Sequence, residues 1–194
     1  MNLNKHKRIF NAISSIYNLF YHHQLETYSK ILNDNLRLLE LPDHGRILDI
    51  GCGTGAFAGS FSLKGYDVSG VDIAEKMIKY AQKRGINSQY GNVVDGLDFP
   101  DKSFDLVISA YVAHGLDREK RIQLFMESAR LSKGLVLFHD YNTSRNIVIN
   151  VIEYMEDGDY FNFIKNGLEE MTKVFSKVTV ININKFNNWY LCAP

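Results

Sequence analysis

Apolar residues recur at helical spacing before residue 42 and at strand spacing after residue 45. The positions that predict the first, amphipathic helix are Leu25, Tyr28, Leu32, Leu36 and Leu39. The polar link 42–45 holds a proline and a glycine, which end a helical pattern. We therefore predict one domain over residues 1–194, in which a helical cap or lid segment, residues 1–42, precedes a core over residues 45–194.

Short apolar runs then alternate with helical patterns. Strands are predicted over residues 46–50, 67–71, 88–94 and 104–109, with a fifth beginning at residue 135. Helices are predicted over residues 56–64 and 74–84, and a third after Asp117, which can cap it. We expect this third helix to bury Ile122, Phe125 and Ala129 and to end at Gly134. Five strands alternating with helices predict an α/β fold with a doubly wound parallel sheet.

The C-terminal region follows a different pattern. Residues 177–183 alternate in β-branched side chains, and the short turn region 186–189 leads into a second strand at residues 190–192. Strands joined by so short a connection must pair antiparallel, because a parallel pair needs a crossover of roughly a dozen residues. The complete prediction is a mixed sheet of seven strands with an antiparallel hairpin at one edge.

A glycine-rich loop follows the first strand. Gly51, Gly53 and Gly55 stand at alternate positions, where the absence of Cβ atoms lets the backbone turn sharply and approach a ligand closely. Asp72 ends the second strand and offers two acceptor oxygens, which suit a pair of ribose hydroxyls. Open α/β sheets bind ligands at the carboxyl ends of their strands, so the loop predicts a nucleotide-like ligand.

The glycines alone leave two ligand classes open. Gly51, Gly53 and Ala56 also satisfy the looser dinucleotide pattern, which serves a pyrophosphate. Asp49 places a negative charge beside the loop, which disfavours a diphosphate and suits the ammonium and sulfonium charges of S-adenosylmethionine. Asp49 could instead bind loop amides, and Asp72 could cap the next helix.

Three stretches of the chain together resemble one family. Residues 47–55, Ile-Leu-Asp-Ile-Gly-Cys-Gly-Thr-Gly, resemble the first motif of class I S-adenosylmethionine-dependent methyltransferases. Residues 71–78 resemble the second-strand motif of that family, and residues 91–107 its third and fourth motifs. The resemblance covers about residues 45–140 and is nearest to small methyltransferases of the type that includes quinone-biosynthesis enzymes. It implies a Rossmann-like methyltransferase fold and S-adenosylmethionine as cofactor, with S-adenosylhomocysteine as product.

The resemblance also implies which residues bind the cofactor. They are Tyr17, Asp49, Gly51, Cys52, Gly53, Gly55, Asp72, Ile73, Asn92, Val93 and Ser109. Ile73 is expected on one adenine face and Val93 near the adenine edge, while a segment around Tyr17 often folds over the cofactor in this group. The family usually has Asp where this chain has Asn92, whose carbonyl oxygen can still accept a hydrogen bond from the adenine amino group.

His114 follows the fourth strand, where a methyltransferase exposes groups to its substrate. Its ordinary pKa near neutrality makes it the candidate general base, and a capping or packing role is the alternative. His139 and Asp140 form a second polar cluster after the fifth strand. Their spacing with His114 matches no simple ligand motif, so no metal is expected.

Charge and composition limit the partners. Twenty-two basic and 22 acidic residues give a formal net charge of zero, so nothing attracts the chain generally to nucleic acid. No apolar run reaches the roughly 18 residues that a membrane span needs, and two cysteines weakly indicate a reducing compartment. We expect a cytoplasmic monomer or homodimer that methylates a small molecule. The alternatives are a non-catalytic S-adenosylmethionine-binding regulator, an RNA methyltransferase and an NAD-dependent oxidoreductase.

Overall fold

The computed structural model describes residues 3–144 and 159–194, which form helices and strands in alternation. The helices are α1 (Leu3–Asn35), α2 (Ala56–Ser62), α3 (Glu75–Lys83), α4 (Arg118–Leu131) and α5 (Tyr160–Thr172). The strands are β1 (Arg46–Ile50), β2 (Asp67–Asp72), β3 (Asn87–Tyr90), β4 (Phe104–Ala110), β5 (Ser132–Tyr141), β6 (Lys177–Asn182) and β7 (Asn187–Ala193). Short 3₁₀ turns occur at Leu36–Leu39, Val93–Asp95 and Ala113–Gly115.

The strands form one sheet in the order β3-β2-β1-β4-β5-β7-β6. β2 pairs in parallel with β1 and with β3, whereas β7 pairs antiparallel with β5 and with β6. The strand order reverses at β1, and such a reversal places the ligand crevice at the carboxyl end of that strand. The predicted doubly wound mixed sheet of seven strands, with its C-terminal antiparallel hairpin, is confirmed.

The chain divides into two compact units within β4. Among the described residues, the first unit comprises residues 3–92 and 104–107, and the second comprises residues 93–103, 108–144 and 159–194. The single domain, with its segments 1–42 and 45–194, stays a prediction.

In the first unit, α1 packs on α2 and α3 through the apolar stripe that its sequence predicts. Leu32 is fully buried, and the Tyr28 ring lies 4.8 Å from the ring of Phe57 on α2, measured between centroids. The apolar side chains of β1 are buried as well, as its nearly continuous hydrophobic sequence requires.

In the second unit, the predicted buried face of α4 is partly wrong. Asp117 caps the helix, accepting from the Lys120 amide at 3.1 Å, and Phe125 is buried, both as predicted. Ile122 and Ala129 are only half-buried. Their places on the buried face are taken by Arg121, Leu124, Ser128 and Leu131. The helix is rotated because Arg121 forms an ion pair in the interior, which apolar periodicity cannot reveal.

Two strand boundaries also differ from the prediction. β3 ends at Tyr90 instead of residue 94, because the chain enters the 3₁₀ turn Val93–Asp95. β5 already begins at Ser132, so Gly134 lies inside a strand instead of ending α4. The α4 helix passes into β5 without an intervening loop. Across the described ranges 3–144 and 159–194, no helix is long and apolar enough to cross a membrane.

Candidate functional site

The loop after β1 takes a conformation that needs glycine. Gly51, Gly53 and Gly55 have φ angles of 74°, 53° and 85°, a region that side-chain-bearing residues rarely adopt. A Cβ on Gly55 would come within 3.2 Å of Ala81 and Ile86, whereas a Cβ on Gly53 would meet nothing within 4 Å. Gly55 therefore serves close packing of the loop, and Gly53 borders open space in which a ligand can lie.

The backbone amides of this loop are already engaged inside the protein. Those of Gly51 and Cys52 donate to the Val71 carbonyl at 2.8 and 3.0 Å, and that of Gly55 donates to the Cys52 carbonyl at 2.8 Å. A pyrophosphate-binding loop needs amides that point at the phosphate oxygens. These three amides hold the shape of the loop instead and do not point at a ligand.

Asp72 ends β2 and bonds the glycine loop directly. Its Oδ2 accepts from the Gly53 amide at 2.8 Å, and its Oδ1 accepts from the Ala74 amide at 2.7 Å. Desolvation raises the pKa of Asp72, and hydrogen bonds from the amides of Ala74, Gly53 and Ile73 oppose that rise. A carboxylate has about four acceptor positions, so Asp72 keeps part of its acceptor capacity for ligand hydroxyl groups.

Asp49 is a buried carboxylate with an unfilled acceptor. The residue is 1% exposed; its Oδ2 accepts from the Ala58 amide in the first turn of α2 at 3.1 Å. Its Oδ1 is buried and accepts no hydrogen bond from the residues that the structure describes. Burial raises the pKa of Asp49 to about 8; the Ala58 bond opposes this shift, and the charge of Asp72 adds to it. A cationic donor at Oδ1 would relieve both the desolvation and the repulsion.

Cys52 packs inside the loop. Its sulfur occupies the space above Gly70 of β2, where a Cβ would lie 2.8 Å from that sulfur. Burial raises the pKa of the Cys52 thiol well above its ordinary value, and the charges of Asp72 and Asp49 raise it further. The thiol is therefore kept neutral, which leaves a packing role for Cys52. The requirement for glycine at position 70 was not visible in the sequence.

Arg84, at the end of α3, connects α1 to the glycine loop. Its guanidinium donates to the Thr54 carbonyl at 3.0 Å and to the Asn18 side chain at 2.5 Å. It also lies 3.6 Å from the centroid of the Tyr21 ring, a cation–π contact. Tyr17, on the same helix, is half-buried with its ring 6.3 Å from that of Phe10. Sequence reasoning missed Arg84, because a basic residue in the last turn of a helix is common for other reasons.

The other predicted cofactor residues fall in both units. Ile73 and Asn92 belong to the first unit and are half-buried; Ile73 follows β2, and Asn92 lies just after β3, which pairs with β2. Val93 and Ser109 belong to the second unit, where Val93 is half-buried and Ser109 is buried within β4. The structure thus groups Asp49, the glycine loop, Asp72, Ile73 and Asn92 at the carboxyl ends of three parallel strands.

In the second unit, His114 pairs with Asp140. The His114 Nδ1 lies 2.7 Å from the Asp140 Oδ1, and both side chains are buried. Asp140 is the penultimate residue of β5, and His114 is in the 3₁₀ turn after β4. Sequence reasoning singled out both residues but did not pair them, because 26 positions separate them along the chain.

Aromatic side chains surround this pair. The His114 ring lies 4.8 Å from that of Tyr141, and Tyr111 lies 5.1 Å from Tyr141 and from His139, measured between ring centroids. Tyr111 has a φ of 55°, an unusual conformation for a bulky residue that its surroundings must maintain. Burial lowers the pKa of His139 to about 4, so this second histidine is neutral at physiological pH. His139 shares a hydrogen bond with the Tyr111 hydroxyl at 3.3 Å.

Arg121 fastens the turn that carries His114. It is fully buried and forms a two-pronged ion pair with Glu170 of α5, at 2.6 and 3.1 Å. Its remaining nitrogen donates to the carbonyls of Leu116 and Ala113 at 2.6 and 3.5 Å. Within residues 3–144 and 159–194, no group of three or more His, Cys, Asp or Glu side chains could hold a metal ion.

Comparison with known proteins shows which proteins this chain is similar to. A family model described as a methyltransferase domain matches residues 48–138. An uncharacterised methyltransferase of Staphylococcus carnosus is 27% identical over 143 residues, which cover 72% of this chain and 66% of the relative. Another, of Bacillus subtilis, is 30% identical over 158 residues, which cover 73% of this chain and 60% of the relative. The chain thus spans less than two thirds of the length of these curated relatives.

A solved structure of a methyltransferase matches the fold over nearly the whole chain. The S-adenosylmethionine-dependent methyltransferase of Thermotoga maritima has a TM-score of 0.70 against this structure and is 19% identical to it. The match covers 96% of this chain and 99% of that one. At this level of identity the likeness shows the fold alone.

Proposed function

We propose that this chain, whose residues 48–138 match a methyltransferase-domain model, binds S-adenosylmethionine and transfers the methyl group to a small-molecule acceptor. The glycine loop, Asp49 and Asp72 are the parts of the chain on which the cofactor assignment rests. The acceptor, the cytoplasmic location and the monomeric or dimeric state are proposals as well, consistent with a formal net charge of zero.

The proposal is supported by the buried Oδ1 atom of Asp49 together with the engaged amides of the glycine loop. The Oδ1 atom of Asp49 is buried with no donor among the described residues, and it faces the added repulsion of Asp72. The loop amides of Gly51, Cys52 and Gly55 are meanwhile engaged by carbonyls. A buried carboxylate oxygen that can accept from a cation, beside loop amides that are already engaged, favours the α-ammonium group of S-adenosylmethionine over a dinucleotide pyrophosphate.

The residues of the glycine loop, Asp49 and Asp72 have roles that their geometry supports. Asp49 accepts from the ammonium group; the backbone at Gly51, Cys52, Gly53 and Gly55 borders the cofactor, and Gly53 leaves the open space. Asp72 accepts from the ribose hydroxyls while still holding the Gly53 and Ala74 amides. Ile73 and Asn92 would contact the adenine. Tyr17, Val93 and Ser109 stay predictions from the sequence.

The chemistry required of the protein is modest. When bound, S-adenosylmethionine supplies an electrophilic methyl group, so that the acceptor lone pair forms the new bond as the carbon–sulfur bond breaks with its electrons on sulfur. The protein aligns the acceptor, excludes water and removes a proton where the attacking atom carries one. We assign the last task to His114, which lies in the 3₁₀ turn after β4.

The experiment measures transfer of isotope-labelled methyl groups from S-adenosylmethionine in the presence of purified protein and fractionated cell extract. The proposal expects labelled products in the small-molecule fraction. Label found only in protein or RNA would overturn the small-molecule assignment, and tight cofactor binding without any labelled product would favour a regulatory role. Calorimetric titration with S-adenosylhomocysteine and, in parallel, with NADH tests the cofactor. Binding of NADH alone would overturn that assignment.

A further inference from the structure

The Asp140 carboxylate is arranged to accept hydrogen bonds only. Its Oδ1 accepts from the Tyr141 amide at 2.8 Å, and its Oδ2 faces the His114 amide at 3.3 Å. The same Oδ1 lies 2.7 Å from the Nδ1 of the His114 ring. Two backbone amides donate to this buried carboxylate, and a carboxylate oxygen that receives an amide hydrogen is an acceptor.

The tautomer of His114 follows from this arrangement. Because Asp140 can only accept, the proton of a neutral imidazole must lie on Nδ1, and Nε2 then carries the lone pair. Free imidazole side chains prefer the other tautomer, so this preference has to be imposed by a partner. The backbone amide of His114 also donates a hydrogen bond to Asp140, so the same carboxylate holds both the backbone and the ring of this residue.

The surroundings prevent the ring from turning away. Tyr141 lies 4.8 Å from the His114 ring, and Tyr160 and Phe163 of α5 lie at 6.4 and 6.5 Å, all edge-on. Arg121 binds the carbonyls on both sides of His114, at Ala113 and Leu116. Residues of α4, α5 and β5 thus hold the backbone and the ring of His114. A general base needs such a fixed orientation toward the proton that it removes.

We propose that Asp140 is a positioning residue that keeps His114 in the Nδ1-protonated form, so that Nε2 receives the proton of the methyl acceptor. This proposal rests on the proposed function and narrows the substrate class to acceptors whose attacking atom bears a proton to be removed, such as a hydroxyl group. The acceptor proton moves to Nε2 as the freed electron pair forms the bond to the methyl carbon. Asp140 keeps its charge throughout and balances the imidazolium that results.

The first test reads the protonation of the ring directly and does not depend on activity. Side-chain nitrogen NMR of the full-length protein, with His114 assigned through His114→Gln, reports which ring nitrogen carries the proton. We expect the Nδ1-protonated neutral form near neutral pH. A ring protonated on Nε2 alone, or on both nitrogens at pH 8, would overturn the proposal. The groups that bear on this titration are Asp140 itself, Tyr111, Tyr141, Tyr160, His139 and the ion pair of Arg121 with Glu170 and Asp159.

Two variants separate positioning from general structural support. In Asp140→Asn, an amide can donate to Nδ1, so we expect the Nε2-protonated tautomer to appear. The matched control is Tyr190→Phe, which removes a 2.8 Å hydrogen bond to the Tyr141 carbonyl in the same region but touches neither ring nitrogen of His114. It should keep the wild-type tautomer. Loss of the Nδ1 form in both variants would overturn the specific role of Asp140, and the wild-type measurement stands even if Asp140→Asn does not fold.

Activity adds a second, independent result. With a substrate found by the labelled-methyl assay, Asp140→Asn should lower kcat by roughly 100-fold or more with little change in KM, since the base is in the wrong tautomer. Tyr190→Phe should keep its kcat. Equal kcat for Asp140→Asn and the wild type would overturn the proposal while leaving methyl transfer itself established. The Nδ1-protonated ring in a protein that transfers no methyl group would instead support the positioning and overturn the proposed function.

Discussion

We predict that the buried carboxyl group of Asp49, to which we assign cofactor binding, lowers the stability of the folded protein without ligand. In the folded protein without ligand, burial holds the pKa of Asp49 at about 8, against an ordinary value of 3.8. Since the folded pKa lies above the unfolded one, the folded state keeps a proton that the unfolded chain releases. Stability is therefore fully present below about pH 4 and is lost as the pH rises toward 8.

The size of the effect follows from the same values. At about 1.4 kcal/mol for each tenfold difference in proton affinity, the raised pKa of Asp49 lowers the stability by roughly 2 kcal/mol at pH 5 and roughly 5 kcal/mol at pH 8, relative to its value below pH 4. Asp49→Asn removes this cost, keeps an acceptor for the Ala58 amide and places an unpartnered amide group where Oδ1 was, at about 1–3 kcal/mol. The variant should match the wild type at about pH 5 and exceed its stability by roughly 3 kcal/mol at pH 8.

Urea unfolding of the ligand-free proteins at pH 5, 6, 7 and 8 measures this difference, and calorimetry with S-adenosylhomocysteine measures the loss of binding. The matched control is Asp67→Asn, the same change at an exposed carboxylate at the start of β2, which should leave both quantities nearly unchanged. A stability difference that does not vary with pH would refute the reasoning about the buried charge. Retained affinity in Asp49→Asn would refute the assignment of its Oδ1 to the ammonium group.

Three further perturbations test other parts of the structure. Asp72→Ala should lower the affinity for S-adenosylhomocysteine at least tenfold by calorimetry, because a charged acceptor of two hydroxyls is worth more than about 1.5 kcal/mol; wild-type affinity would contradict the ribose role. Gly53→Ala places a methyl group in the open space and should weaken cofactor binding with only ~1 kcal/mol of strain, whereas Gly55→Ala meets packed atoms at 3.2 Å and should mainly lower the thermal midpoint; the reverse order would contradict this reading of the loop. Arg121→Met should destabilise the protein by about 3–5 kcal/mol in urea, and adding Glu170→Leu should restore much of that loss; a double variant no more stable than the single one would show that the ion pair is not the cause.

The sequence predicts a feature correctly where the residues that require that feature are adjacent in the chain. The positive φ angles at Gly51, Gly53 and Gly55 need glycine regardless of context, so the loop could be predicted from its letters. The same holds for β1, whose predicted and observed bounds agree, and for the hairpin, whose short connection admits only antiparallel pairing. Asp117 as the cap of α4 belongs to this group too.

Requirements that join distant residues were missed. The rotation of α4 results from the pairing of Arg121 with Glu170, 49 positions later, and a charged residue counts as exposed in any periodicity analysis. Gly70 is needed because the Cys52 sulfur occupies the space above it, and Arg84 matters because three groups from α1 and the glycine loop meet its side chain. None of these has a signal in its own neighbourhood of the sequence.

The sequence by itself determined the class of this protein: a doubly wound sheet, a glycine loop after the first strand and an acidic residue after the second. These depend on backbone geometry and local spacing, which the order of residues specifies directly. Only the tertiary structure decided that the loop amides are already engaged, that the Asp49 Oδ1 awaits a donor and that His114 faces Asp140. Burial and pairing across many residues set these properties, because the free energy of a charge or proton depends on what surrounds it in space.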